Sequence, residues 1–274
     1  MAYKRILTVQ DISCLGQCSM TVALPILSAC GHETVVLPTA VLSTHTGGFG
    51  KPAVRHLPDL AADARRHWME NDINFDAIYV GYLGSVAAVE AVSEIADTML
   101  APRGKLIVDP AMADHGRLYS GFDETYAKAM QALCEKAHVM IPNITEAAMM
   151  TGLTYKESYD EAYISELLRA IPGQSVVLTG VSYSPDTTGI AIREGEWTGY
   201  YPHARVGKNY HGTGDMFAAC FVGCLMQAKT MEEAVKIAGE FTLRSIRATF
   251  ENPAHWYGVK FETALPWLMK ELFE

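Results

Sequence analysis

Gly212-Thr213-Gly214-Asp215 stands directly before an apolar run, Met216-Phe217-Ala218-Ala219-Cys220-Phe221, that reads as a helix. Two glycines free the main chain to wrap an anion, and the helix that follows points unpaired amides and roughly half a positive charge at it. Such a turn is an oxyanion or phosphate cradle. A carboxylate at its end can serve as an N-cap or as a base that takes a proton from an incoming hydroxyl, and the local sequence leaves both open. A cradle at a helix start, with carboxylates elsewhere, suggests phosphoryl transfer, in which positioning and charge neutralisation do most of the work. That chemistry needs Mg2+, which takes one or two carboxylates together with water and phosphate oxygens. Asp109 and the run Asn143-Ile144-Thr145-Glu146 could supply hard oxygens from adjoining strand ends. Asn143 and Glu146 also have the types and spacing of a helix capping box.

Better-known glycine motifs are excluded. The dinucleotide fingerprint G-x-G-x-x-G would need glycine where Phe217 stands, and the segment comes late in the chain instead of after the first strand. A P-loop ending at Gly50-Lys51 would need glycine and a hydroxyl residue where His45 and Pro52 stand. The His-Arg-Asp and Asp-Phe-Gly signatures of protein kinases are missing.

The elements that must carry these residues alternate. Strand candidates are Ile6 to Val9, Thr34 to Leu37, Ala77 to Val80, Leu106 to Val108, Val139 to Ile141 and Val176 to Leu178. Helical candidates lie between them, near Thr21 to Cys30, Leu57 to Glu70, Val86 to Leu100, Asp123 to Lys136, Glu146 to Gly152 and Asp160 to Ala170. The pattern predicts an α/β fold, a central mostly parallel sheet with helices on both faces. Gly189 to Arg193 and Trp197 to Tyr201 then read as a hairpin, and three helices finish the chain. No linker, repeat or low-complexity tract interrupts the order, so residues 1–274 read as one domain.

Ligands of such sheets bind beyond the carboxyl ends of the strands. The residues there are polar: Asp11, Thr39 to Thr46, Tyr82 to Ser85, Asp109, Asn143 to Glu146 and Thr179-Gly180. Singly, each could be a cap or a turn residue; together they mark the sheet edge where a site is expected. The glycine-dense loop His45 to Pro52 suits a mobile flap or a surface turn. His115 and Arg117 could close over phosphates or sit in a solvated loop.

Composition narrows the partners. The 274 residues are 49% hydrophobic and 19% charged, which supports a full core. With 22 Lys and Arg against 31 Asp and Glu, the net charge is −9 and nucleic acid is not expected as a partner. The longest apolar run, Met216 to Met226, has 11 residues and is too short to span a membrane. Six cysteines without a C-x-x-C pair match neither a disulfide framework nor a zinc ribbon, so a reducing cytoplasm is the expected location. Cys14 with Cys18, and Cys220 with Cys224, would share a face if helical, and are read as packing residues before metal ligands.

At these residues the chain resembles the ribokinase superfamily and, within it, the pyridoxal (vitamin B6) kinases, along nearly its whole length. Gly212-Thr213-Gly214-Asp215 is similar to the superfamily's catalytic signature, and Pro142-Asn143-Ile144-Thr145-Glu146 to its Asn-x-x-Glu magnesium motif. Ser43-Thr44-His45-Thr46-Gly47, Gly81-Tyr82-Leu83-Gly84-Ser85 and Asp109-Pro110-Ala111-Met112 resemble segments of pyridoxal kinases. The resemblance implies a ribokinase-like fold with a small lid, ATP as phosphoryl donor and a vitamer as acceptor. It implies Asp215 as base with Gly212, Thr213 and Gly214 as anion hole, and Asp11, His45, Thr46 and Tyr82 around the substrate. It implies Asp109, Asn143, Thr179, Gly180 and Gly212 around the nucleotide, and Asp109 and Glu146 toward magnesium. A monovalent cation (K+) and a homodimer are further implications.

Two departures keep rivals in view. Pyridoxal kinases usually carry Gln-Ser-His near the first strand's end, where this chain has Gln10-Asp11-Ile12-Ser13. That Asp is similar to the one in hydroxymethylpyrimidine kinases, as is His211 before the signature. Against them, the Cys their signature places at the base position is Asp215 here. A hydroxymethylpyrimidine (phosphate) kinase and a non-catalytic vitamer-binding protein are the alternatives.

Overall fold

The computed structural model describes residues 2–207, 210–252 and 254–274. Its strands are β1 (Arg5–Ser13), β2 (Glu33–Leu42), β3 (Val54–His56), β4 (Phe75–Val80), β5 (Leu100–Val108), β6 (Ala113–Asp114), β7 (Arg117–Leu118), β8 (Val139–Met140), β9 (Ser175–Val181), β10 (Thr187–Glu194) and β11 (Trp197–Ala204). Its helices are α1 (Met20–Ala29), α2 (Leu60–Glu70), α3 (Val86–Met99), α4 (Glu124–Glu135), α5 (Ile144–Thr151), α6 (Glu161–Ala170), α7 (Thr213–Met226), α8 (Met231–Phe250) and α9 (Leu265–Phe273).

Nine strands form one sheet in the order β11-β10-β9-β8-β5-β4-β1-β2-β3, parallel from β9 to β2 and antiparallel at the edges. The parallel strands read as continuous apolar runs because both of their faces are covered. Leu7, Val9, Ile78 and Val80 pack with α2 to α6, whereas Ile6, Ala77 and Tyr79 pack with α1, α7, α8 and α9. From β1 the chain turns to β2 on one side, and from β4 it turns to β5 on the other, so a crevice opens where the carboxyl ends of β1 and β4 part. The β1–β2 register slips between Gln10 and Ile12, at Asp11. Such irregularities re-aim a side chain at a sheet rim.

The expected strands and helices are present, with informative differences at their ends. α2 starts at Leu60 because Pro58 disfavours helical dihedrals at Leu57. α5 starts at Ile144, since Asn143 is its N-cap. Glu194 pairs with Trp197, which closes the expected hairpin on Gly195-Glu196. The short strands β3, β6 and β7 carry no periodic signal and were not expected. Cys14 and Cys18 share no helical face, as both lie in the β1–α1 loop. Cys220 and Cys224 are buried in α7 against Cys30, whose sulfur comes so near Gly223 that a Cβ there would sit 2.5 Å from it. Among the described residues no helix is long and apolar enough to cross a membrane.

Candidate active site

The glycine turn sits at the amino end of α7. Gly212 is the N-cap residue at φ 78° and ψ 0°, and no side chain caps the helix. The first intrahelical bond runs from Met216 N–H to Gly212 O at 3.0 Å, so the amides of residues 213 to 215 have no acceptor within the helix. A Cβ on Gly212 would lie 2.1 Å from Gln17 O, whereas one on Gly214 would meet nothing within 4 Å. The Thr213 hydroxyl donates to Tyr210 O at 3.1 Å.

Asp215 Oδ2 accepts from Ser19 N–H at 2.9 Å, a contact between residues 196 apart in sequence. Burial lifts the Asp215 carboxyl to about 6, opposed by the Ser19 hydrogen bond and reinforced by the charge of Asp11. Asp11 is 4% exposed, accepts from Ser13 Oγ at 3.0 Å, and is raised by burial against its hydrogen bonds to Ser19 and Ser13. Burial and the same two carboxylates push the Cys18 thiol up to about 12, which keeps it protonated between them.

A second acidic group faces the turn. Burial raises Asp109 well above the ordinary range, helped by Glu146 and Asp215. Glu146 is 2% exposed and lifted to about 7, first by burial. Its Oε1 accepts from the amides of Met112 (2.9 Å) and Ala113 (3.3 Å), and its Oε2 from that of Asn143 (2.9 Å). Asn143 completes the capping box through Oδ1 and donates Nδ2 to Ala113 O at 2.7 Å. The capping box is therefore real, and it also ties α5 to the β6–β7 hairpin. Thr179 N–H and hydroxyl both reach Pro142 O, and Gly180 is exposed with φ 72°. His115 and Arg117 are exposed on the β6–β7 hairpin. Among the described residues no group of three or more His, Cys, Asp or Glu is arranged to hold a metal ion.

The glycine-dense loop connects β2 and β3. His45 Nδ1 accepts from Gly47 N–H at 2.8 Å, so the ring carries its proton on Nε2, which is buried and has no partner among the described residues. Burial, then His211, holds its pKa below the usual value, and the two rings lie 4.9 Å apart. Gly16 is required beneath it, since a Cβ would come within 2.0 Å of the His45 ring. Phe49 packs on Trp256 at 4.6 Å. Thr46 is exposed. Tyr82 is half-buried, its phenol raised by burial and by Asp11, and it stacks on Phe122 at 5.4 Å. Gly84 turns at φ 80° and Ser85 caps α3, which explains the Gly-Tyr-Leu-Gly-Ser segment.

Ser19, Gln17 and Phe122 were not legible as site residues. Only Ser19 left a trace, as a hydroxyl residue before an apolar helical run, and that trace points to a cap instead of to an amide holding Asp215. A separate apolar cavity of about 360 Å³, lined by Thr39, His56, Leu57 and Ser85 among others, does not include Asp11 or Asp215.

The mixed sheet, the crevice at its switch point and the uncapped glycine turn beside a carboxylate define a ribokinase-like fold of the small-molecule kinase class. The chain belongs to the phosphomethylpyrimidine kinase family, whose profile matches residues 24–259. It is similar to a Bacteroides thetaiotaomicron protein provisionally assigned as a phosphomethylpyrimidine kinase, at 34% identity, TM-score 0.93, and coverage of 97% of this chain and 93% of that one. An orthorhombic form of that protein was solved with pyridoxal. Pyridoxal kinase from Lactobacillus plantarum is similar at 32% identity and TM-score 0.90, over 98% of this chain and 97% of that one. The hydroxymethylpyrimidine/phosphomethylpyrimidine kinase of Bacillus subtilis is 26% identical over 65% of this chain and 66% of its own length.

Proposed function

We propose that the chain transfers the terminal phosphoryl group of ATP to the 5′-hydroxymethyl oxygen of a vitamin B6 vitamer: pyridoxal, pyridoxamine or pyridoxine. The observation that carries this reading is the Asp215 carboxylate held by Ser19 N–H beside the uncapped amides of α7. Asp215 takes the hydroxyl proton as the oxygen attacks phosphorus in line and ADP leaves. The amides of residues 213 to 215 meet the negative charge on the transferred group's oxygens. Asp11 and Tyr82, close enough that the charge of Asp11 raises the Tyr82 phenol, would line the ring side, and His45 would offer an Nε2–H that has no acceptor among the described residues.

Magnesium is the ion this reading places beside these carboxylates: burial raises both Asp109 and Glu146, and the charge of Glu146 adds to the rise of Asp109, so a nearby cation would favour their ionised forms. Asp109 would hold it directly and Glu146, whose oxygens already accept three amides, through the field of its charge. An ion held there would supply neutralisation of phosphate charge.

With a base of pKa about 6, kcat/KM is expected to fall tenfold per pH unit below that value, since protonated Asp215 accepts nothing. A pH–rate profile flat down to about pH 5 would count against the base.

Similarity to the L. plantarum pyridoxal kinase, and to a protein crystallised with pyridoxal, supports a B6 vitamer. Asp11, His211 and the B. subtilis relative favour hydroxymethylpyrimidine or its phosphate as the second reading. A panel of both ring classes with ATP and magnesium decides between them. The best vitamer is expected to exceed hydroxymethylpyrimidine by at least about tenfold in kcat/KM, the scale one pocket's contacts supply. The reverse order would replace the first reading by the second.

A further inference from the structure

Gln17 lies two residues before the amide that holds Asp215, in a loop whose main chain is unfavourable by itself. Gly16 has φ 134°, while Gln17 and Ser19 both have φ 51°, in the left-handed region. Non-glycine residues persist there only when surrounding structure over-determines them. The far end of the chain supplies that structure. Gln17 Nε2 donates to Glu262 Oε1 at 2.7 Å, and its Oε1 accepts from His255 Nε2 at 3.0 Å. Gly258 lies flat against the same side chain, where a Cβ would be 2.6 Å from Gln17 Cβ. On its other side the Gln17 carbonyl rests under Gly212, where a Cβ would be 2.1 Å away.

We infer that Gln17 is a positioning residue for phosphoryl transfer: gripped by His255 and Glu262, it fixes the main chain on which both the glycine turn and the Ser19 amide rest. The segment from His255 to Glu262, remote from the acidic groups in sequence, thereby becomes part of the device that aims the base. This inference rests on the reading of Asp215 as that base. Its physical content is geometric, because a displacement of about 1 Å at a reacting group costs far more in rate than in binding.

The test removes the grip and then rebuilds it with exchanged partners. Gln17→Met keeps the side chain's length and loses both hydrogen bonds. Its kcat is expected to fall about tenfold, with KM for ATP and for the vitamer within about twofold of wild type. The double variant Gln17→Glu/Glu262→Gln exchanges carboxylate and amide across the same contact and is expected to stay within about twofold of wild-type kcat. An unchanged kcat in Gln17→Met, a loss carried by KM instead, or a double variant as slow as Gln17→Met overturns the inference. If Gln17→Met does not fold, Glu262→Ala, at an exposed position, is expected to lower kcat about threefold at unchanged KM, and no change there overturns it equally. Asp215→Asn measured alongside separates the two readings. Full turnover in that variant removes the base itself, whereas its collapse beside an unaffected Gln17→Met removes only the role of Gln17.

Discussion

Asp215→Asn is expected to lower kcat by about 10²- to 10⁴-fold, the usual loss on removing a general base. The substitution is chosen because it leaves the surroundings nearly intact. An asparagine oxygen can accept the Ser19 N–H that Asp215 Oδ2 accepts at 2.9 Å, so the β1–α1 loop and the start of α7 stay joined. It also takes one negative charge from among Asp11 and Asp109, each held above the ordinary carboxylate range chiefly by its own burial. Both are then expected to ionise more readily, and the melting temperature is expected not to fall. Binding of nucleotide and vitamer, followed by titration calorimetry, should remain within a few-fold of wild type. Near-normal turnover, or a loss confined to KM, would show that the carboxylate serves only to hold the Ser19 amide.

The second large effect contrasts two glycines in one turn. Gly212→Ala is expected to destabilise the protein by several kcal/mol and to lower kcat by about 10²-fold or more, because strain and displacement act at the same atoms. The new Cβ would stand 2.1 Å from Gln17 O, a main-chain atom that cannot swing aside, at a φ of 78° that alanine disfavours. Gly214→Ala meets nothing within 4 Å and has no such dihedral, so its melting temperature is expected to stay near wild type. Its methyl group would enter open space, and if the turn holds the transferred phosphoryl group as proposed, a loss is expected in kcat and KM together. Thermal melts with steady-state kinetics for the pair check both statements. Equal destabilisation of the two variants would mean that the turn is a tight structural corner with no room for an anion.

Much of this arrangement could be read in advance, because its signals are local. Apolar runs such as Val176 to Leu178 announce buried parallel strands, and Asn143 three residues before Glu146 announces a capped helix. What escaped was short or distant. β3 has three residues and β6 and β7 two each, too few for any periodicity. The motif points Glu146 toward magnesium, and it does not announce that both of its oxygens accept from three main-chain amides of two segments. The resemblance points to His45 as a substrate-side residue, and only its packing on Gly16 and His211 makes it a neutral ring with a buried N–H that has no partner among the described residues.

By itself the sequence determined the order of the main elements, a mostly parallel sheet covered on both faces, and the glycine turn with its carboxylate, since these follow from side-chain period, caps and backbone freedom within a few residues. Tertiary structure alone decided what surrounds that carboxylate. The amide that holds Asp215 comes from Ser19, and the side chains that hold the Ser19 loop come from His255 and Glu262. Pairings across such separations depend on how α1, α7 and the chain's end pack on one sheet face. The pKa of a base depends on how completely that packing excludes water, a property of the assembled fold that no local run of residues encodes.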